Sequence, residues 1–177
     1  MPSYVVTGAN RGLGYVFITH LASIEGNTVI AIARKKTETE ERLAKDGIKN
    51  VKVFAADVTD VKALQAAAEG TSKITGGGLD VLINNAALVS KQSQWSSITD
   101  GTPEDLEEEL MASFHANVVG AAHVINAFLP LIRKGEVKKV INLSTGLADV
   151  DLTNQFSIAN GSPYCELTPV RSLYGIY

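Results

Sequence analysis

Apolar residues in this chain fall into short unbroken runs, separated by stretches in which they recur every third or fourth position. Tyr4-Val5-Val6 is the first run and ends at Thr7-Gly8; Leu13, Val16, Phe17, Ile18 and Leu21 then follow at helical spacing. The order predicted there is strand, tight turn, helix. Thr28 to Ala33 reads as a second strand, and the polar stretch Glu38 to Lys45, with Leu43, suits a short surface helix. Val51 to Ala56 makes a third strand. Val61 to Glu69, rich in alanine and carrying Leu64, favours helix by propensity, and Gly76-Gly77-Gly78 ends that region. Leu79 to Ile83 is the fourth strand. A loop from Val89 to Gly101 contains Trp95; Thr102-Pro103-Glu104-Asp105 then supplies an N-cap, a first-turn proline and acidic groups at the positive end of a helix dipole. The helix so started runs to about Arg133, and Lys138 to Leu143 is the fifth strand.

The strands are apolar at nearly every position rather than at every second one, as a parallel sheet covered on both faces requires. The predicted architecture is α/β: a doubly wound parallel sheet of the Rossmann type, in three layers, over residues 1–165, with 166–177 a divergent tail that does not continue the pattern. The sheet is expected to be incomplete at its C-terminal edge.

Bulk properties narrow the function classes. A length of 177 residues suits one domain, and 45% hydrophobic with 20% charged residues is the balance of a globular protein. A net charge of -3 gives no electrostatic attraction for nucleic acid. The lone Cys165 has no internal disulfide partner and the amino terminus has no charged-then-apolar leader pattern, so a cytoplasmic location is expected. The apolar stretch Val118 to Ile132 is interrupted by His123, Asn126 and Pro130, and no membrane span is expected. His20, His115 and His123 show no metal-ligand spacing.

Candidate chemistry begins at the first turn, Thr7-Gly8-Ala9-Asn10-Arg11-Gly12-Leu13-Gly14. Glycine lets the backbone approach a diphosphate with no side chain in the way, and unpaired amides at a helix amino terminus attract the anion. No carboxylate stands at the end of the second strand to hydrogen-bond a ribose, as an NAD site usually has; Ala33-Arg34-Lys35-Lys36 is there instead.

The spacing Thr-Gly-x-x-x-Gly-x-Gly resembles the signature of the short-chain dehydrogenase/reductase family. Further motifs match in order: Asp57-Val58 after the third strand resembles the family's adenine contact, and Asn84-Asn85-Ala86-Ala87 resembles its Asn-Asn-Ala-Gly motif, with Ala87 in place of glycine. Asn117 resembles the asparagine of the catalytic tetrad, and Asn142-Leu143-Ser144-Thr145-Gly146 the strand that carries the catalytic hydroxyl. The resemblance spans residues 3–165. It implies an oxidoreductase acting on a small carbonyl or alcohol, with Arg34 and Arg11 pairing with the 2'-phosphate of NADP(H) rather than the site taking NAD(H). Ordinary structural uses stay open: Asp57 as a helix cap, Asn84 and Asn85 as turn formers, Asn117 as a residue bending a long helix.

Tyr164 matches the family's catalytic tyrosine, and either Ser144 or Thr145 supplies the hydroxyl that orients the carbonyl. The lysine expected four residues beyond the tyrosine is replaced by Thr168, followed by Pro169, which disfavours a helix at that point. Reduced or absent activity is therefore expected. What the family places after the tyrosine has no counterpart in these 177 residues, so low stability, an uncovered fifth strand, and either homo-oligomers or pairing with a full-length relative are expected. Two other readings stay open, a non-catalytic dinucleotide-binding or regulatory module and a defective splice or frameshift product.

Overall fold

The computed structural model describes residues 1–89, 101–145 and 151. Strands β1 (Ser3–Thr7), β2 (Thr28–Ala33), β3 (Val51–Ala55), β4 (Val81–Asn84) and β5 (Lys139–Asn142) form one sheet in the order β3-β2-β1-β4-β5. β1 pairs in parallel with β2 and with β4, and β2 with β3, as the apolar runs predict. Helices α1 (Gly12–Ser23), α2 (Lys36–Lys45) and α3 (Val61–Thr75) connect the first four strands, and α4 (Pro103–Phe114) and α5 (Gly120–Ile132) precede the fifth. The fold class read from the sequence is the one observed. The expected boundary at 165/166 lies outside the described residues.

Two compact units can be distinguished, Met1–Ala86 with His123–Ile141, and Ala87–Ala122 with Asn142–Tyr177. In the first, alternate residues of each strand serve opposite faces. Val5, Ile30, Ile32 and Leu82 pack with Leu64, Ala67 and Ala68 of α3 and with Val124, Phe128, Leu131 and Ile132 of α5. Val6, Val29 and Ala31 are equally buried but belong to the other face, where right-handed crossovers put α1 and α2. Phe128 is 0% exposed and is the largest fully buried side chain among the described residues. The helix from Pro103 to Ile132 is long and apolar enough to cross a bilayer by composition. Its apolar second half is the part that fills this core, and its first half carries Glu104, Asp105, Glu107, Glu108 and Glu109.

Boundaries differ from the sequence reading where side chains meet backbone demand. α3 extends past Glu69 to Thr75, with the Thr71 and Thr75 hydroxyls bonded back to the carbonyls of Ala67 and Thr71, and Gly76 then ends it at φ 69°. Its N-cap is Asp60, whose carboxylate accepts from the Ala63 amide at 3.0 Å. Thr102 caps α4 as predicted, accepting from the Asp105 amide at 3.2 Å. Between α4 and α5 the turn His115–Val119 is wound as a π-helix.

Asp80 is the buried polar hub of the sheet's amino-terminal edge. One carboxylate oxygen accepts from the amide and hydroxyl of Ser3 at 2.8 and 2.9 Å, the other from the amides of Glu136 and Val137 at 2.8 and 3.2 Å. The Lys139 amide bonds the Asp80 carbonyl at 2.9 Å. The start of β1, the start of β4 and the approach to β5 are thus tied to one side chain. Burial alone would raise its pKa; the four donors outweigh it and hold the carboxyl below its ordinary value of 3.8.

Asp80→Ala leaves these donors unsatisfied and is expected to cost about 2 to 4 kcal/mol, read as a lower urea midpoint. Because folding lowers this pKa, the stabilisation from Asp80 is complete above the unfolded value and is lost as pH falls through a folded value below 3.8. The acid-unfolding midpoint of Asp80→Asn should accordingly be less steep in pH than that of the unaltered chain.

Candidate functional site

In the strand order β3-β2-β1-β4-β5 the chain winds outward in one direction from β1 and in the other from β4, so their carboxyl ends flank a topological switch point. Ligands of open α/β sheets bind in the crevice at such points. Thr7-Gly8 leaves β1 there and Asn85-Ala86 leaves β4. Thr7 Oγ1 accepts from the amides of Asn85 and Ala86 at 3.1 and 3.0 Å, while the Asn85 carboxamide donates to the carbonyls of Thr7 and Gly8 at 2.9 and 3.3 Å. The Asn85 side chain thus clamps the glycine turn.

Closeness here is enforced sterically. A Cβ on Gly14 would lie 2.4 Å from the Gly8 carbonyl oxygen and 2.5 Å from Asn85 Nδ2; one on Gly8 would lie 2.8 Å from Ala86 Cα. Gly12 differs in kind. Its φ of +57° favours glycine, yet an added Cβ would meet nothing within 4 Å, so open space lies outside the start of α1. α1 has no side-chain cap and no acidic residue in its first turn, which leaves its first amides and the positive end of its dipole facing that space. A pyrophosphate fits this donor set, held by amides near Gly12, Leu13 and Gly14, with the Leu13 side chain 63% exposed beside it.

The charged groups sit at the far end of the turn. The Ala9 amide bonds the Ile32 carbonyl at 3.3 Å, which holds the turn against the end of β2, two residues before Arg34. Arg11 is exposed at the N-cap of α1 and Asn10 is half-buried. Arg34 Nη1 lies 3.7 Å from Asp57 Oδ2, with the Arg34 side chain 70% exposed. Asp57 also accepts from the amide and hydroxyl of Thr59 at 2.9 and 2.8 Å, so it orders the turn after β3 while Asp60 caps α3. Val58 is half-buried against the core.

In the second unit Asn117, 3% exposed within the π-helical turn, grips the backbone of Leu88 from both sides. Its Oδ1 accepts from the Leu88 amide at 2.7 Å and its Nδ2 donates to the Leu88 carbonyl at 2.9 Å. These two bonds are a structural use of Asn117 within the π-helical turn. Ser144 is exposed and Thr145 half-buried just after β5. Tyr164 lies outside the described residues. The structure thus brings together Thr7, Gly8, Gly14, Asn85 and Ala86, and sets Asn10, Arg11 and Arg34 beside them. Two residues that the sequence reading passed over, Tyr15 and Arg42, also sit against the turn: the Arg42 guanidinium lies 3.8 Å above the Tyr15 ring and donates to the Asn10 carbonyl at 3.3 Å. The signal for them was an aromatic residue directly after the last glycine.

Comparison with known proteins agrees with this geometry. The family model for short chain dehydrogenases matches residues 3–157. The chain belongs to the short-chain dehydrogenase family. Among its relatives, the short-chain dehydrogenase/reductase AacuF of Aspergillus aculeatus is 52% identical over 164 residues, which is 93% of this chain and 62% of that protein. The short chain dehydrogenase virK of Hypocrea virens is 46% identical over 162 residues, 89% of this chain and 60% of that protein. The chain therefore spans about three fifths of the length of these family members. Of solved structures, the NADPH-bound carbonyl reductase from chicken fatty liver superposes with a TM-score of 0.79 at 25% identity, covering 98% of this chain and 71% of that one. The putative carbonyl reductase Sniffer of Caenorhabditis elegans gives 0.82 at 26% identity, covering 99% and 77%.

Gly14→Ala is expected to separate Gly8 from Asn85 and abolish both cooperative unfolding of this unit and dinucleotide binding. Gly12→Ala adds backbone strain of about 1–2 kcal/mol with no clash, so it should stay folded by circular dichroism while binding at least tenfold more weakly in a fluorescence titration.

Proposed function

We propose that this chain binds NADP(H) in preference to NAD(H), within an enzyme that interconverts a small carbonyl compound and its alcohol. The observation that carries the cofactor choice is Arg34 at the end of β2, where an NAD site would hold a carboxylate. Its contact with Asp57 is long and solvent-exposed, and such pairs contribute little, about 0 to 1 kcal/mol, so a 2'-phosphate dianion can displace it. A guanidinium then meets phosphate oxygens through short charge-assisted bonds. The name of the chicken enzyme, an NADPH-bound carbonyl reductase, supports both halves of the reading.

When bound, the nicotinamide supplies or takes the hydride. This chain's own residues are assigned the rest: Tyr164 to carry the proton at the substrate oxygen, Ser144 or Thr145 to orient that oxygen, and Asn117 to hold the Leu88 backbone. A phenol with an ordinary pKa of about 10 is a poor acid-base group near neutrality, and family members lower it with a lysine. Thr168 cannot do so. Turnover reduced by a factor of about 10² to 10⁴ follows from loss of an effective acid-base group. That substitution favours a second reading, a cofactor-binding module without catalysis. The lone Cys165 and the reducing chemistry fit the cytoplasm, which we propose as its location.

Two measurements test these readings. Arg34→Ala should weaken NADPH binding roughly 10- to 100-fold, the equivalent of one or two charged hydrogen bonds, and leave NADH binding within about twofold; equal affinity of the unaltered chain for both nucleotides would remove the NADP(H) assignment. NADPH oxidation followed with a panel of aldehydes and ketones should be barely above background. Binding without any turnover supports the module, and rates typical of an intact reductase overturn the assigned consequence of Thr168.

A further inference from the structure

We infer that Arg42, held over the Tyr15 ring, is a further contact for the 2'-phosphate and a determinant of cofactor specificity; this rests on the NADP(H) reading of the same site. Near the turn the cations differ in the carboxylates beside them. Lys35, the N-cap of α2, pairs with Glu38 at 2.8 Å, while Lys36 lies 3.7 Å from Glu40 and Arg34 3.7 Å from Asp57, both long, exposed contacts. Among the described residues, no carboxylate pairs with Arg11 or Arg42. Asp46, one helical turn beyond Arg42, accepts from the Tyr15 hydroxyl at 2.7 Å.

That arrangement fixes a guanidinium in space. Tyr15 is only 5% exposed, its ring is locked by the hydroxyl bond to Asp46, and the Arg42 guanidinium stacks on its face at 3.8 Å from the centroid. Nη1 donates to the Asn10 carbonyl at 3.3 Å, and the fork of the exposed Arg42 carries further N–H donors beside the glycine turn. Asn10 lies between Ala9, bonded to the end of β2 just before Arg34, and Arg11. Arg42 thus bonds the turn next to Arg11, and the same turn is tied to β2 two residues before Arg34. A stacked guanidinium loses less freedom on meeting a phosphate than an untethered side chain, so its contribution is specific to the phosphate-bearing nucleotide.

The test is a pair of variants, Arg42→Ala and Tyr15→Leu, titrated with NADPH, NADH and 2',5'-ADP by fluorescence or calorimetry at two salt concentrations. Arg42→Ala should weaken NADPH and 2',5'-ADP about tenfold, leave NADH within twofold and flatten the salt dependence of NADPH binding. Tyr15→Leu keeps the arginine but removes its platform, and should lose part of the same preference. If Arg42→Ala weakens NADPH and NADH equally, the residue only braces the turn through Asn10 and the inference is wrong; unchanged binding is also against it. Both of these outcomes leave the NADP(H) reading standing when the unaltered chain still prefers NADPH. Absence of that preference in the unaltered chain removes the reading and the inference together.

Discussion

The site depends on a contact that has no room for a methyl group. Gly14, Gly8 and Asn85 meet so closely that the first turn of α1 is pressed onto the loop leaving β1, and the carboxamide of Asn85 replaces the hydrogen bonds which that loop would otherwise lack. Once the two loops are fixed to each other, the amides of α1 have one direction to face. Among the described residues no side chain caps them. Exposed first-turn amides are hydrated when no anion is bound, so an anion that meets them exchanges water for charge-assisted bonds. The uncapped helix start and the steric fit at its base are two consequences of one requirement, the close approach of a backbone to an anion.

A separate device holds the opposite end of the same strands. Asp80 takes four donors from two other segments at the amino-terminal edge, where no ligand is expected. Strands β1 and β4 are thus pinned at both ends, by a carboxylate at one and by Thr7 with Asn85 at the other. Rigid strand ends allow the loops between them to carry function without contributing much to stability. The division of labour is visible in charge: the stabilising end uses a buried anion with every oxygen bonded, while the binding end collects exposed cations.

Much of this could be read from the residues, and what could not was lost for definite reasons. Strand runs such as Thr28 to Ala33 are legible because both faces are buried, and β2 occupies those residues. Ends of helices are less so: Thr71 and Thr75 bond back to their own helix and carry α3 beyond the predicted Glu69, while Gly70 reads as a breaker but makes room for Phe54, which a Cβ would approach to 2.4 Å. The glycine turn and Asn85 were found through motif, yet the clamp between them is a contact 77 residues apart in sequence, beyond any local pattern. Asp80 gave no signal, since a single acidic residue beside a strand is ordinary until its four partners are seen. Of the π-helical turn at Asn117, the sequence offers only a polar residue in an apolar helix.

Arginine placement shows most clearly how sequence and structure divide the information. The residues Ala33-Arg34-Lys35-Lys36 read as a uniform basic tract, and by count Lys35 and Lys36 are as plausible for an anion as Arg34. In the fold the lysines meet Glu38 and Glu40 on the first turns of α2, whereas Arg34 stays at the sheet end with Asp57 3.7 Å away. Conversely, Arg42 looks like one charge among many on a polar helix, and only the buried ring of Tyr15 brings it back to Asn10. Charge is written in the sequence; which charges remain available to a ligand is decided by the carboxylates that the fold brings next to them.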